Sequence, residues 1–162
     1  MSLEIFVILK LGFTIDGRAR ISRDGKSVKP ECLSPQPQLA DIVALEHALK
    51  LRERELASRV ICVSQGAEAA DEILSRGLGM GADQAIRLAA DDGVFVDPQI
   101  QGHRIASVIS GVGGKLVFTG GGSGDGDDEI VPHVVAADLG AACLSNVMDF
   151  ELSGDRLKVE RR

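Results

Sequence analysis

The stretch from Lys115 to Gly140, KLVFTGGGSGDGDDEIVPHVVAADLG, constrains this chain more than any other. It reads as a buried strand over Lys115 to Thr119, then a loop of glycines and carboxylates. A helix follows in which Val131, Val134, Val135 and Leu139 recur at helical spacing. In an open α/β sheet such a unit sets the loop on the ligand side, and the next helix aims its unpaired N–H groups at the same crevice. Gly120, Gly121, Gly122, Gly124 and Gly126 leave the backbone free to approach a ligand without Cβ in the way. Two readings stay open at this point: an anion site, or a surface loop running into an acid-capped helix.

The remaining segments supply the sheet around that unit. Glu4 to Leu9 (EIFVIL) is a continuous apolar run, as in a strand covered on both faces. Lys10 to Gly17 reads as a loop, and Arg18 to Val28 as a small hairpin whose Asp24-Gly25 supplies two positive-φ positions. Pro30, Pro35 and Pro37 make Lys29 to Leu39 extended coil. Asp41 is the expected N-cap of a helix from Ile42 to Leu56, buried along Ile42, Leu45, Leu49 and Leu56, with Glu46 and Lys50 paired outside. A strand from Arg59 to Ser64 follows. The next helix, Ala67 to Arg76, has Ala69, Ala70, Ile73 and Leu74 inward and is ended by Gly77, Gly79 and Gly81. Gln84 to Leu88 is a short strand, and Asp97-Pro98 starts a helix that Gly113-Gly114 ends, with Ile105, Val108, Ile109 and Val112 inward. Ala142 to Met148 reads as another strand, and Phe150 to Val159 as a hairpin turning at Gly154-Asp155. Alternating strands and helices predict a single α/β domain over residues 1–162. It is doubly wound, with a mostly parallel sheet, helices on both faces and small hairpins.

Composition limits the partners. A net charge of −6 with five phenylalanines and no tryptophan or tyrosine argues against a nucleic-acid partner, which needs basic groups on phosphates and rings under bases. No apolar run approaches the ~20 residues of a membrane span, and Ile5 to Leu9 lacks the basic flank and cleavage site of a secretory leader. Cys32, Cys62 and Cys143 form no CxxC pair, so a reducing cytoplasm is the expected setting, with two of the thiols packed in strand-like runs.

Several kinds of chemistry fail on spacing. The first strand is followed by Lys10-Leu11-Gly12-Phe13, which lacks the dinucleotide fingerprint. Gly114-Lys115-Leu116 lacks the P-loop hydroxyl, and Gly121 to Asp125 has an acid where a nucleophile elbow needs its last glycine. His47, His103 and His133 are too scattered for a zinc pattern and are expected to face solvent. Asp125, Asp127, Asp128 and Glu129 form the one dense cluster of functional groups. They suit either Mg²⁺ or the acidic first turn of a helix.

With these units laid out, the whole chain resembles the beta subunit of electron-transfer flavoprotein. Phe118 to Gly140 aligns without gaps on that family's signature, and Gly120, Asp125, Gly126, Asp127, Leu139 and Gly140 match it. Asp41 to Glu53, with ALEHALKLRE inside it, is similar to the segment after the family's Asn-Pro-x-Asp turn. Ser64 and Gly66 match its Ser-x-Gly turn, and Gly79 to Asp83 (GMGAD) resembles its A-M-G-A-D. Arg18 to Val28 and Gly154 to Arg161 resemble its early and late hairpins.

That resemblance implies an adenine-nucleotide-binding type of fold and an electron carrier with no catalytic residue of its own. It implies pairing with an alpha subunit that holds most of the FAD site, and electrons passed from dehydrogenases of acyl-CoA or amine type to a membrane quinone reductase or another acceptor. A structural AMP, or a second FAD, would lie against Ile8, Gln38, Leu39, Ala40, Asp41 and Gln65. The same resemblance brings in Gly120, Ser123, Gly124, Asp125, Gly126, Asp127, Asp128, Glu129, Ile130, Val131 and Val134. This chain departs from the family at Glu129, Ile130 and Val131, which replace polar phosphate ligands, at Pro132, which replaces a glycine, and at Gln38-Leu39, which replaces Asn-Pro. The family also continues past the position of Arg162 into a segment that reaches over the alpha subunit, so a shortened relative is expected. Other readings are a stand-alone adenine-nucleotide-binding or Mg²⁺-dependent hydrolysing protein that uses Asp125 to Glu129, and a scaffold whose site has decayed.

Overall fold

The computed structural model describes residues 3–90, 97–114, 116–121 and 130–162. In chain order the elements are β1 (Glu4–Ile8), β2 (Leu11–Ile15), β3 (Leu33–Pro37), α1 (Leu39–Glu53), β4 (Arg59–Gly66), α2 (Ala70–Met80) and β5 (Gln84–Ala89). Then come α3 (Pro98–Val112), β6 (Leu116–Thr119), α4 (Ile130–Leu139), β7 (Val147–Ser153) and β8 (Arg156–Arg161). Among the described residues the main sheet has four parallel strands in the order β5-β4-β1-β6. The chain leaves β1 toward β4 and β5, then returns to lay β6 on the other side of β1. That reversal is a topological switch point, where open α/β sheets place their ligand crevice.

Both faces of the sheet are covered, which is why β1 carries no polar residue after Glu4. Its side chains alternate. Ile5, Val7 and Leu9 pack with Val60 and Cys62 under Leu45, Ala48 and Leu49 of α1 and Ile73 and Leu74 of α2. Phe6 and Ile8 pack with Ile61 and Val63 under Ile105 and Ile109 of α3 and Val131 and Val135 of α4. The Cys62 thiol lies in the first layer, where burial pushes its pKa up to about 12 and leaves it a small hydrophobe.

Several expectations need correcting. Lys10 to Gly17 is not a loop: β2 pairs antiparallel with β3, Phe13 opposite Pro35 and Ile15 opposite Leu33, in a ribbon of its own. The prolines expected to keep Lys29 to Leu39 as coil instead confine β3 to an edge, as proline without an N–H must. The tip of the early hairpin has one positive-φ residue, Gly25, rather than two. Helix α2 runs through Gly77 and Gly79 and ends only at Gly81, whose φ of +119° forms the cap. Gly77 lets the helix sit close on the sheet, since a Cβ there would lie 2.9 Å from Cys62 Sγ. Leu56 lies beyond the end of α1 and Val112 at the open end of α3, and both are exposed, as is Ala69 before α2. Ala142 to Asn146 is not a strand; it runs exposed into β7, and Cys143 is exposed with it.

The β7–β8 hairpin turns at Gly154 as expected and packs on the α1 side, where Phe150 meets Phe118 (centroids 5.3 Å apart) and His47 (5.4 Å). His47 is therefore exposed yet in contact, and His103 Nδ1 lies 2.6 Å from Asp138 Oδ2, linking α3 to α4. The paired Glu46 and Lys50 lie 3.0 Å apart, as the spacing predicts.

Candidate functional site

The carboxylate of Asp41 fixes the switch point. Asp41 is not the N-cap of its helix; Gln38 holds that position, and Asp41 stands in the first turn, fully buried. Its side chain reaches across the strand ends instead. Oδ2 accepts the Lys10 N–H at 2.8 Å, just past β1, and Oδ1 accepts the Gly120 N–H at 2.8 Å, just past β6. Both are backbone donors that the ladder no longer serves, so one carboxylate satisfies the two places where the central strands end.

Gly120 lies so close to α1 that a Cβ on it would stand 2.5 Å from Asp41 Oδ1 and 2.8 Å from the Ala40 carbonyl carbon. Gly120, just past β6, is thus seated on the first turn of α1, where the Asp41 N–H donates to Gln38 O at 3.1 Å and the Leu39 and Ala40 N–H groups precede the helical ladder. Lys10 reaches the same loop through its ammonium group, which donates to Gly121 O at 3.3 Å. Burial pushes the Asp41 carboxyl above its ordinary range. The Lys10 and Gly120 N–H donors and the Lys10 charge offset part of that cost.

Two neighbours at the end of β4 carry unpartnered polar atoms. Among the described residues Gln65 has no hydrogen-bond partner for either Oε1 or Nε2, and Ser64 Oγ, in a residue 1% exposed, has none. Strand alternation sends Gln65 to the face of Ile61 and Val63, beneath α3 and α4, and Ser64 to the face of Val60 and Cys62. Buried amides without partners are rare in native folds, and each offers a donor and an acceptor to a bound group. Gln65 carries a polar amide, Lys10 an ammonium group and the start of α1 the Leu39 and Ala40 N–H groups, and in kind these groups suit a nucleotide.

The other residues singled out from the sequence fall in different places. Ile8 and Val131 are core side chains of the α3–α4 layer. Val134 packs against Gly102 of α3, where an added Cβ would stand 2.6 Å from Val134 Cβ. Leu39, Ala40 and Ile130 are exposed, and Gln38 is half-buried at the start of α1. Ser123, Gly124, Asp125, Gly126, Asp127, Asp128 and Glu129 lie outside the described residues. Among the described residues no group of three or more His, Cys, Asp or Glu side chains is placed to hold a metal, and no helix is long and apolar enough to cross a membrane. Lys10 and Ser64 were missed from the set because each looks ordinary in sequence; the run of β1 directly into Lys10 is the one available hint.

The motif Gly79 to Asp83 has a structural role at the opposite end of the sheet. Asp83 accepts the Val60 N–H and the Arg52 guanidinium, both at 2.8 Å, and Arg52 also donates to Gly81 O at 2.7 Å.

These features define a doubly wound α/β fold with a topological switch point beside β1. The chain belongs to the electron transfer flavoprotein domain family, whose profile matches residues 36–162. It is similar to the electron transfer flavoprotein subunit beta of Mycobacterium leprae, 34% identical over 124 residues, which cover 73% of this chain and 46% of that protein. The subunit beta of Clostridium acetobutylicum is 32% identical over 132 residues, 82% of this chain and 49% of the relative. That of Bradyrhizobium diazoefficiens is 28% identical over 159 residues, 98% and 63% respectively. The chain therefore spans about half to two thirds of the length of these curated relatives.

Proposed function

We propose that the chain works as a beta-type subunit of an electron-transfer flavoprotein. It pairs with an FAD-carrying alpha subunit in the cytoplasm to pass electrons from dehydrogenases to an acceptor, and holds an adenine nucleotide, AMP or the adenine end of a second FAD, at the switch point. The observation that carries this reading is a Gln65 amide without a partner among the described residues, at the same end of the sheet where Asp41 pins the ends of β1 and β6, in a chain of this family. Flavin, when present, supplies the electron chemistry. The residues of this chain bind and orient: Gln65 offers a donor and an acceptor, Lys10 an ammonium near the loop, and α1 its first N–H groups. No side chain in this arrangement has to move a proton.

The test is to purify the chain, denature it and identify any released nucleotide by mass spectrometry, with its molar ratio. A near-equimolar content of AMP or FAD supports the reading, as does flavin absorbance gained on co-expression with the alpha subunit. No nucleotide, and no binding of AMP added in excess, would remove the nucleotide site and leave a scaffold. Magnesium-dependent ATP turnover lost in Asp127→Ala would replace the carrier with a hydrolase.

A further inference from the structure

Among the described residues no hydrogen bond or ion pair ties the β7–β8 hairpin to the rest of the molecule. The bonds from Arg161 to Ser145 and from Arg162 to Asn146 stay within residues 145–162. The chain reaches the hairpin from the Gly140 cap of α4 (φ +60°) through Ala141 to Ser145, all exposed, and enters β7 at Asn146 (φ +55°). A lone two-stranded ribbon is marginally stable in water. This one is therefore held by packing, and the packing is concentrated. Phe150 and Leu152 rest on the α1 layer, while cavities of about 400 and 960 Å³ flank them, with Leu56 and Leu152 lining both.

Phe150 bridges two elements. Its ring meets His47 of α1 edge-on, with centroids 5.4 Å apart, and Phe118 of β6 at 5.3 Å. These are the same two elements that Asp41 and Gly120 join at the switch point, and Gly120 follows Phe118 by two residues. The two are not equally fixed. α1 packs on β1 and β4 in the middle of the sheet, whereas β6 is an edge strand of four residues, bonded only to β1 among the described residues. An outward shift of β6 by about 1 Å takes the 2.8 Å bond from Gly120 to Asp41 out of hydrogen-bond range.

We propose that the β7–β8 hairpin is a strap: through Phe150 it holds β6 against α1 and keeps the Gly120 amide on Asp41. Phe150 is thus a positioning residue, acting on the switch point through Phe118. Its bearing on nucleotide binding rests on the function proposed above; the strap itself does not. A hairpin that only covered apolar surface would leave the Gly120 bond indifferent to Phe150.

The test is amide exchange of the full chain, followed residue by residue by nuclear magnetic resonance, for the wild type, Phe150→Leu and Phe150→Ala. Gly120 is expected to exchange at least ~10-fold faster in Phe150→Ala, with Phe150→Leu between the two. The Lys10 amide bonds to the same carboxylate from the central strand β1, so its exchange should stay within about twofold of the wild type. Glu151 is exposed and alternates with Phe150 and Leu152 along β7, so Glu151→Gln should leave both amides unchanged. Protected amides in β1 and β4 report that each variant is folded, since the hairpin lies outside the main sheet. Equal Gly120 exchange in the wild type and Phe150→Ala would overturn the strap. So would equal acceleration of Gly120 and Lys10, which would mean a general loosening. With AMP as the calorimetric probe, Phe150→Ala should bind at least several-fold more weakly than the wild type, and Phe150→Leu should fall between. Unchanged AMP affinity beside faster Gly120 exchange would overturn the positioning role. A wild type that binds no AMP would overturn the function proposed above, and Gly120 exchange would still decide the strap.

Discussion

The Asp41 carboxylate and the Gly120 amide stand 79 residues apart in the chain and meet at 2.8 Å, with the glycine pressed against the first turn of α1. Nothing with a side chain fits there. Gly120→Ala would put a Cβ 2.5 Å from Asp41 Oδ1 and 2.7 Å from Asp41 N, backbone that a rotamer change cannot move. The expected cost is about 1–3 kcal/mol from overpacking, with loss of any bound nucleotide. Gly121→Ala is the control, since a Cβ there meets nothing within 4 Å among the described residues. Its urea midpoint should stay within about 0.5 kcal/mol of the wild type. Equal effects at the two positions would refute the close approach.

Asp41→Asn isolates the charge. An asparagine amide has one acceptor oxygen, so it can serve the Lys10 N–H or the Gly120 N–H but not both. Leaving one buried donor unpaired costs about 1–3 kcal/mol. The pH dependence has a definite sign. Burial raises the Asp41 pKa in the folded state, so this group's contribution is fully present below the unfolded value of about 4 and declines as pH rises through the raised value. The stability advantage of the wild type over Asp41→Asn should therefore shrink as pH rises from about 4 through the raised folded value. Urea unfolding of both proteins across that range would show it, and a growing advantage would contradict the assignment.

How far the sequence foretold this site depends on the range of each interaction. β1, β4, β5 and the start of α3 were legible because local signals fix them: unbroken apolar runs in a doubly covered sheet, and Asp97 accepting the Gln99 N–H ahead of Pro98. The roles of Asp41 and Gly77 were not legible. An acid at a helix start reads as a cap, and a glycine in a helix reads as a stop. Only the fold brings Gly120 to the one and Cys62 to the other. The β2–β3 pairing was hidden for the same reason: prolines signal coil locally, and an edge strand tolerates them once a partner is present. Ala142 to Asn146 failed in the opposite sense, because apolar residues there suit a strand that this exposed segment forms only from Val147 onward.

The two open-helix glycines of α3 should respond to alanine with opposite signs. Among the described residues Gly111 has nothing within 4 Å of an added Cβ, so Gly111→Ala should gain about 0.5–1 kcal/mol from helix propensity. Gly102 is the contact with α4: its Cβ would stand 2.6 Å from Val134 Cβ and 2.7 Å from Cγ1, on backbone-fixed atoms of the opposing helix. Gly102→Ala should cost about 1–3 kcal/mol as α3 and α4 are forced apart. Thermal unfolding of the two single variants decides it, and a stabilised Gly102→Ala would mean the helices have room to separate.

Asp83 should show the reverse pH behaviour to Asp41. Burial pushes its carboxyl up, but the Val60 N–H and the Arg52 guanidinium outweigh burial and hold it below the ordinary range. A lowered folded pKa contributes stability above the unfolded value of about 4, and that contribution is lost as pH falls through the folded one. Asp83→Asn should cost about 1 kcal/mol at neutral pH, a modest figure because the Arg52 pair is partly solvated. Its deficit should vanish on acidification and fall slightly at high salt, while that of Asp41→Asn is insensitive to salt because Asp41 is fully buried. Denaturant curves for the two variants in one buffer series would separate the carboxylates. If the two deficits moved together with pH, at least one of the two carboxylates would not be held as its contacts require.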